Sequence, residues 1–231
     1  MAGRGRADWT TTGGSTPVPI YRYLANPPFR ERVPWDRVHV WWGDDRFVPR
    51  DHPLSNVRPL DEVRRATLGP SDDAGPPGVL HPIPTDAAIR NGTGAASAAS
   101  AYEDELRAAG LPLGSSGFPC FDVVLAGVGP DGHLFSVFPG SALFDAPAWV
   151  SAVPPPEHVE PHVERVSLSP AVVEAARLAL IVIHGAAKAE IVARVLGPRR
   201  DPRRWPAQLA RRPGAVWLLD RAAAARLRGR T

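Results

Sequence analysis

The stretch Gly127–Gly140, GVGPDGHLFSVFPG, places one histidine, His133, behind three glycines, a proline and an aspartate, directly after the apolar run FDVVLAG. A neutral imidazole is a general base suited to pH near 7, and a carboxylate two residues away, Asp131, can set its tautomer. No serine or cysteine nucleophile accompanies it: a GxSxG elbow is absent, and Cys120 lies before the apolar run, at the opposite end from the histidine. The nucleophile such a site calls for is an activated water.

Two more clusters have types suited to chemistry. TTGGSTP (Thr11–Pro17) offers Gly13 and Gly14, which permit close backbone approach, the hydroxyls of Ser15 and Thr16, and a proline suited to the first turn of a helix, PVPIYRYLA. Such a loop can cradle a phosphate at the helix N-terminus, or serve as an ordinary cap with Ser15 or Thr16 as capping residue. It is not the loop of nucleotide hydrolases, because the Gly-Lys-Ser/Thr ending is missing. Asp44, Asp45 and Arg46 close the run RVHVWW. They read either as a solvated loop with an internal ion pair, or as a guanidinium fork for an anionic or carbonyl oxygen with an aspartate orienting a sugar hydroxyl or the histidine. Ser55 and Asn56 add hydrogen-bonding groups that suit a polyol.

These clusters need elements to hold them. Arg37–Arg46, Phe121–Gly129, Leu178–Gly185 and Ala215–Asp220 each contain a near-continuous apolar run, the pattern of strands covered on both faces. Ala95–Gly110, Ser169–Arg177 and Ala186–Gly197 are helical candidates, and Gly69–Pro84 and Val153–Pro161 read as surface loops. Strand and helix alternate, so the expected class is α/β, doubly wound, with a mainly parallel sheet and helices on both faces. In such sheets ligands sit beyond the carboxyl ends of the strands, and all three clusters fall where strands end.

The chain has 231 residues, 44% hydrophobic, enough for one substantial core, and is expected to form a single α/β domain over residues 1–231. No run approaches the roughly 18 apolar residues of a membrane span, and the start MAGRGRADW has no apolar segment behind it, so a cytoplasmic protein with no membrane partner is expected. The composition is rich in arginine and poor in lysine, yet the net charge is only +3. The basic residues are scattered and not interleaved with stacking aromatics, which argues against a nucleic-acid partner. One cysteine and no Cys/His set of zinc spacing give no expectation of a disulfide or a metal.

TGGSTP, WWGDDRFVPRDHPLSN, GVGPDGHLFSVFPG, RVSLSP, HGAAKAEIV, WPAQL and VWLLD occur here in an order and spacing that resemble the 6-phosphogluconolactonases, within the wider glucosamine-6-phosphate isomerase/deaminase superfamily. The resemblance covers about residues 11–225. It implies hydrolysis of 6-phospho-D-glucono-1,5-lactone, with no cofactor and no metal, by a monomer or weak homodimer. Carried over by resemblance, His133 is the base that takes a proton from water, with Asp131 orienting it. Arg46 binds near the carbonyl or sugar oxygens and Asp44 contacts the sugar. Gly13, Gly14, Ser15 and Thr16 hold the phosphate, with Arg165 and Lys188 as its countercharge.

Two other readings remain. An amino-sugar phosphate deaminase carries a glutamate five residues after the histidine, and here that residue is Phe138, which cannot move protons. A sugar-phosphate-binding homologue without turnover is suggested by the start of the chain: the family's first strand and helix are missing before the glycine loop, and DWTTT is a poor substitute for an apolar strand. The expectation is then an exposed core and a poorly anchored phosphate loop. Smaller departures are Asp45 in place of glutamate, Leu134–Phe135 in place of a small polar pair, and Gln208 in place of a small residue.

Overall fold

The structure is a computed structural model describing residues 5–14, 16–68 and 78–227. The strands are β1 (Ala7–Thr11), β2 (Val38–Trp42), β3 (Asp44–Arg46), β4 (Val79–His81), β5 (Val123–Ala126), β6 (Val150–Val153), β7 (Arg165–Leu168), β8 (Leu178–Ile183) and β9 (Ala215–Leu219). The helices are α1 (Pro17–Leu24), α2 (Phe29–Arg32), α3 (Arg58–Leu68), α4 (Thr85–Arg90), α5 (Ala95–Ala108), α6 (Ala171–Ala175) and α7 (Ala189–Leu196). Six strands form a sheet in the order β4-β2-β1-β5-β8-β9, and every adjacent pair is parallel. This is the expected doubly wound class. From β1 the chain moves outward through β2 and β4, returns to β5, and leaves the other way through β8 and β9. The topological reversal therefore lies between β1 and β5, the place where an open α/β sheet leaves a crevice.

The segment DWTTT is the middle of this sheet, paired with β2 on one side and β5 on the other. Two of its polar side chains are satisfied from their surroundings: Asp8 accepts from Trp41 Nε1 at 3.0 Å and Arg6 Nε at 3.0 Å, and Thr11 Oγ1 shares a 2.6 Å hydrogen bond with the Tyr21 hydroxyl, whereas Thr10 Oγ1 and Trp9 Nε1 are buried with no hydrogen-bond partner among the described residues. Helices cover both faces. Trp9 packs against Tyr21 of α1 with ring centroids 6.3 Å apart, while Trp41, on the opposite face, meets Tyr102 of α5 at 5.9 Å. In α5, Ala95, Ala98, Ala99, Tyr102 and Leu106 are buried at helical spacing. On the Trp9 face the β9 edge stays open, with Val216 43% and Leu218 50% exposed. Among the described residues no helix is long and apolar enough to cross a membrane.

The polar segment after β2 is not a loop. Gly43 donates to Thr11 O at 2.8 Å and its carbonyl accepts from Leu168 N at 2.8 Å, so the chain steps from one sheet into a second. There Asp44, Asp45 and Arg46 are strand β3, antiparallel to β7, with β6 beyond it. Sequence reading missed this because three charged residues carry no strand signal. Short β4, β6 and α3 were likewise not anticipated, and β4 lies within the stretch read as the loop Gly69–Pro84.

Candidate active site

A cleft of about 300 Å³ opens beyond the carboxyl ends of β1, β2, β5 and β8, lined among others by Gly13, Gly14, Thr16, Asp44, Arg46, His133, Arg165 and Lys188. The structure thus brings together most of the residues singled out in the sequence. Ser15 lies outside the described residues, and Asp131 stands behind His133 rather than on the wall.

His133 is presented by the turn after β5. Gly132 N donates to Gly129 O at 3.1 Å, Gly129 N to His133 O at 2.9 Å, and Ala207 N to Gly132 O at 2.8 Å, which fastens the turn to the WPAQL segment. Gly129 is required by close approach: a Cβ there would stand 2.1 Å from the imidazole. Asp131 Oδ1 accepts from the His133 backbone N–H at 3.1 Å and from Nδ1 at 2.6 Å. Because a carboxylate only accepts, this bond puts the imidazole proton on Nδ1 and leaves Nε2 as the basic lone pair. Partial burial opposes the charge on Asp131, but hydrogen bonds from His133 and His158 outweigh it and hold the carboxyl well below the usual range.

The glycine loop is anchored, contrary to the sequence expectation. Tyr21 donates to Thr12 O at 3.3 Å, and Gly13 lies so close to Asn56 that a Cβ would overlap its side-chain oxygen. Thr16 is the N-cap of α1 but makes no side-chain cap hydrogen bond, so the ordinary capping role is not taken up by that hydroxyl. Pro17 and Pro19 carry no N–H, which leaves the loop amides and the dipole as what this helix start presents to an anion.

Asn56 lines the cleft and is the keystone of its opposite wall. Its Oδ1 accepts from the Arg46 guanidinium at 2.6 Å, and its Nδ2 donates to Asp44 O at 2.9 Å and Asp44 Oδ1 at 3.1 Å. Asp44 Oδ2 accepts from Ser136 Oγ at 2.6 Å. Arg46 and Arg165 are direct cross-strand partners, and the Nε of each is buried without a protein partner. Two like charges opposite one another are destabilising by themselves, and an anion between them removes the penalty. Lys188, the one lysine of the chain, caps α7 and donates to Val128 O at 2.7 Å. Desolvation lowers its pKa and that of Arg165. Gln208 is fully buried and satisfied, accepting from Asp201 N at 2.6 Å and donating to Val195 O at 3.1 Å and Arg199 O at 2.8 Å, so it costs the packing nothing.

Asp45 points away from the cleft, where it accepts from Arg46 N at 2.8 Å, Asn56 N at 2.7 Å and Ser55 Oγ at 3.2 Å. Burial pushes its pKa up to about 7, against these hydrogen bonds. A carboxyl whose folded pKa lies above its unfolded value of 3.8 gives stability at acid pH that is lost as pH rises towards 7. Asp45→Asn keeps an oxygen for both amides and cannot ionise. Its melting temperature relative to wild type is therefore expected to rise by several degrees between pH 5 and pH 8. Parallel thermal melts check this, and an equal difference at both pH values contradicts it.

Sequence reading missed the β6–β7 connection, taken as a surface loop over Val153–Pro161. It folds over the cleft, bringing Val159 and Glu160 to the wall and His158 to Asp131. His184, just past β8, also lines the cleft. One histidine and two glutamates among the prolines of Val153–Pro161 were the available signal. Phe138 packs its ring 4.8 Å from the His133 imidazole, so an apolar group occupies that side of the histidine. Among the described residues no group of three or more His, Cys, Asp or Glu side chains is arranged to hold a metal ion.

The chain resembles known proteins of one family. The family of glucosamine-6-phosphate isomerases/6-phosphogluconolactonase matches residues 1–218. A 6-phosphogluconolactonase of Synechocystis sp. is 34% identical over 229 residues, covering 99% of this chain and 88% of the relative. One of Mycobacterium tuberculosis is 36% identical, with 98% and 87% covered. Among solved structures, the 6-phosphogluconolactonase of Trypanosoma brucei superposes with a TM-score of 0.80 at 32% identity, over 96% of this chain and 86% of the other.

Proposed function

This chain belongs to the glucosamine-6-phosphate isomerase/6-phosphogluconolactonase family, and we propose that it hydrolyses 6-phospho-D-glucono-1,5-lactone to 6-phosphogluconate, in the oxidative pentose phosphate pathway, through a water activated by His133. The observation that carries the mechanism is the Asp131–His133 pair, with Nε2 making no hydrogen bond among the described residues, in a cleft lined by the cationic side chains of Arg46, Arg165 and Lys188.

His133 Nε2 takes a proton as water attacks the lactone carbonyl carbon. The carbonyl oxygen becomes an oxyanion beside Arg46, and Asp131 stabilises the imidazolium. When the intermediate collapses, the bond to the ring oxygen breaks and the imidazolium returns its proton there, giving the open acid. Asp44 steadies the arginines and has lone pairs left for a sugar hydroxyl. The loop amides of Gly13, Gly14 and Thr16, with Arg165 and Lys188, hold the phosphate, and this remote binding orients the carbonyl. A δ-lactone is an activated ester, so no metal or cofactor is required. The reading extends to a cytoplasmic enzyme working on a small molecule alone, without nucleic acid or membrane, as a monomer or weak homodimer.

A deaminase must open a sugar ring and move protons between carbons, which needs an ionisable partner beside the histidine. With the Phe138 ring against His133, the protein is expected to release no ammonia from glucosamine 6-phosphate above background at millimolar substrate, while hydrolysing the lactone. Ammonia at an enzymatic rate overturns the assignment. A folded protein that binds 6-phosphogluconate and hydrolyses nothing would instead favour the binding homologue.

A further inference from the structure

Asp131 holds two histidines, one on each oxygen. Oδ1 accepts from His133 Nδ1 at 2.6 Å, and Oδ2 accepts from His158 Nε2 at 2.9 Å. His158 comes from a different part of the chain, the β6–β7 loop, and its side chain is 52% exposed, so it contributes little to the core. Phe138 lies between the two imidazoles, 4.8 Å from His133 and 5.8 Å, edge-on, from His158. Arg165 donates to Pro161 O at 3.0 Å and ties the same loop to the floor of the cleft.

We propose that His158 is a positioning residue for the hydrolysis: its Nε2–H fixes the Asp131 carboxylate, which in turn holds His133 with Nε2 aimed at the attacking water. The proposal rests on His133 being the base. A carboxylate bound through one oxygen turns readily, because its terminal torsion is broad. A second donor on the other oxygen removes that freedom, as outer partners do for the ligating histidines of metal sites.

The contact also sets charge. A hydrogen bond to Oδ2 draws on the negative charge that Asp131 offers to a protonated His133. Without it, Asp131 offers its full negative charge to the imidazolium that forms when His133 takes the proton from water. The charged and titratable groups facing His133 are Asp131 on its own turn, His158 and Glu160 on the β6–β7 loop, and Arg165 on β7. Arg46 on β3, His184 after β8 and Lys188 before α7 complete the ring. Of these, His158 alone shares the aspartate with His133 through a hydrogen bond.

The test is the pH dependence of 6-phosphogluconolactone hydrolysis by the full chain carrying His158→Ala, His158→Gln or His133→Ala. For His158→Ala, kcat is expected to fall about 5- to 20-fold with KM little changed, and the acid limb of the profile to move up by about half a pH unit. His158→Gln, which keeps an N–H donor, is expected to recover most of kcat. The low-field proton resonance of the His133–Asp131 bond is expected to shift in His158→Ala, which reads the contact without relying on turnover. An unmoved acid limb and resonance, or a loss that glutamine does not rescue, overturns the positioning role. Should His158→Ala behave as wild type while His133→Ala is inactive, the positioning role alone falls. Wild-type turnover in His133→Ala brings down the reading of the base itself.

Discussion

His133→Ala is expected to leave a folded protein whose lactone turnover is lower by roughly 10²–10⁴-fold, the usual worth of a positioned general base. Folding should survive because the turn is held by main-chain bonds: Gly129 N to His133 O, Gly132 N to Gly129 O, and Ala207 N to Gly132 O. The imidazole makes its side-chain hydrogen bond to Asp131, which keeps His158 as a partner after the substitution. What remains in the variant is the cationic wall and the glycine loop, so binding of 6-phosphogluconate should persist while proton removal from water is lost. Stopped-flow or pH-stat measurement of lactone loss, corrected for spontaneous opening, checks both parts. Near wild-type turnover in a folded His133→Ala protein contradicts the mechanism.

The second large effect concerns the phosphate. Lys188 is the chain's single lysine amid an arginine-rich composition, and it reaches the cleft from the cap of α7, where the helix dipole disfavours a cation. Burial lowers its pKa, with Asp131 acting in the opposite sense. A dianionic phosphate gives the ammonium a charged partner in addition to Val128 O. Lys188→Ala is therefore expected to lower kcat/KM for the phosphorylated lactone by about 10- to 100-fold, the range of a lost charge-assisted hydrogen bond. Slow hydrolysis of the unphosphorylated lactone should barely change, so the preference between the two substrates falls towards parity. Equal losses on both would mean that the lysine, through its bond to Val128 O, holds the strand end and not the phosphate.

Much of the arrangement was legible because it depends on local patterns. The apolar runs at β5, β8 and β9 and the glycine-marked turns after strands located the cleft edge, and the DGH turn located the histidine proposed as the base. What stayed hidden depends on long-range partners. Nothing in DDR says that Asp45 will be buried under two backbone amides while Asp44 and Arg46 face the other way, since that alternation appears only once β3 pairs with β7. Asn56 looked like a free polar group, but three hydrogen bonds to Arg46 and Asp44, made only once β3 is in place, tie it into the wall. DWTTT looked too polar for a central strand because Trp41 Nε1 and the Tyr21 hydroxyl, which take up Asp8 and Thr11, lie elsewhere in the chain. His158 was concealed by the prolines around it, which mark a loop without saying over what the loop closes.

The most direct test of the central claim is a lactone-hydrolysis assay in which 6-phosphogluconolactone is formed in place and the 6-phosphogluconate released from it is oxidised by excess 6-phosphogluconate dehydrogenase, with and without this protein. The account predicts that catalytic amounts of the protein accelerate the second reduction step in proportion to their concentration, well beyond the spontaneous rate, and that His133→Ala abolishes most of the gain. A rate equal to spontaneous opening at every concentration of folded protein would contradict it.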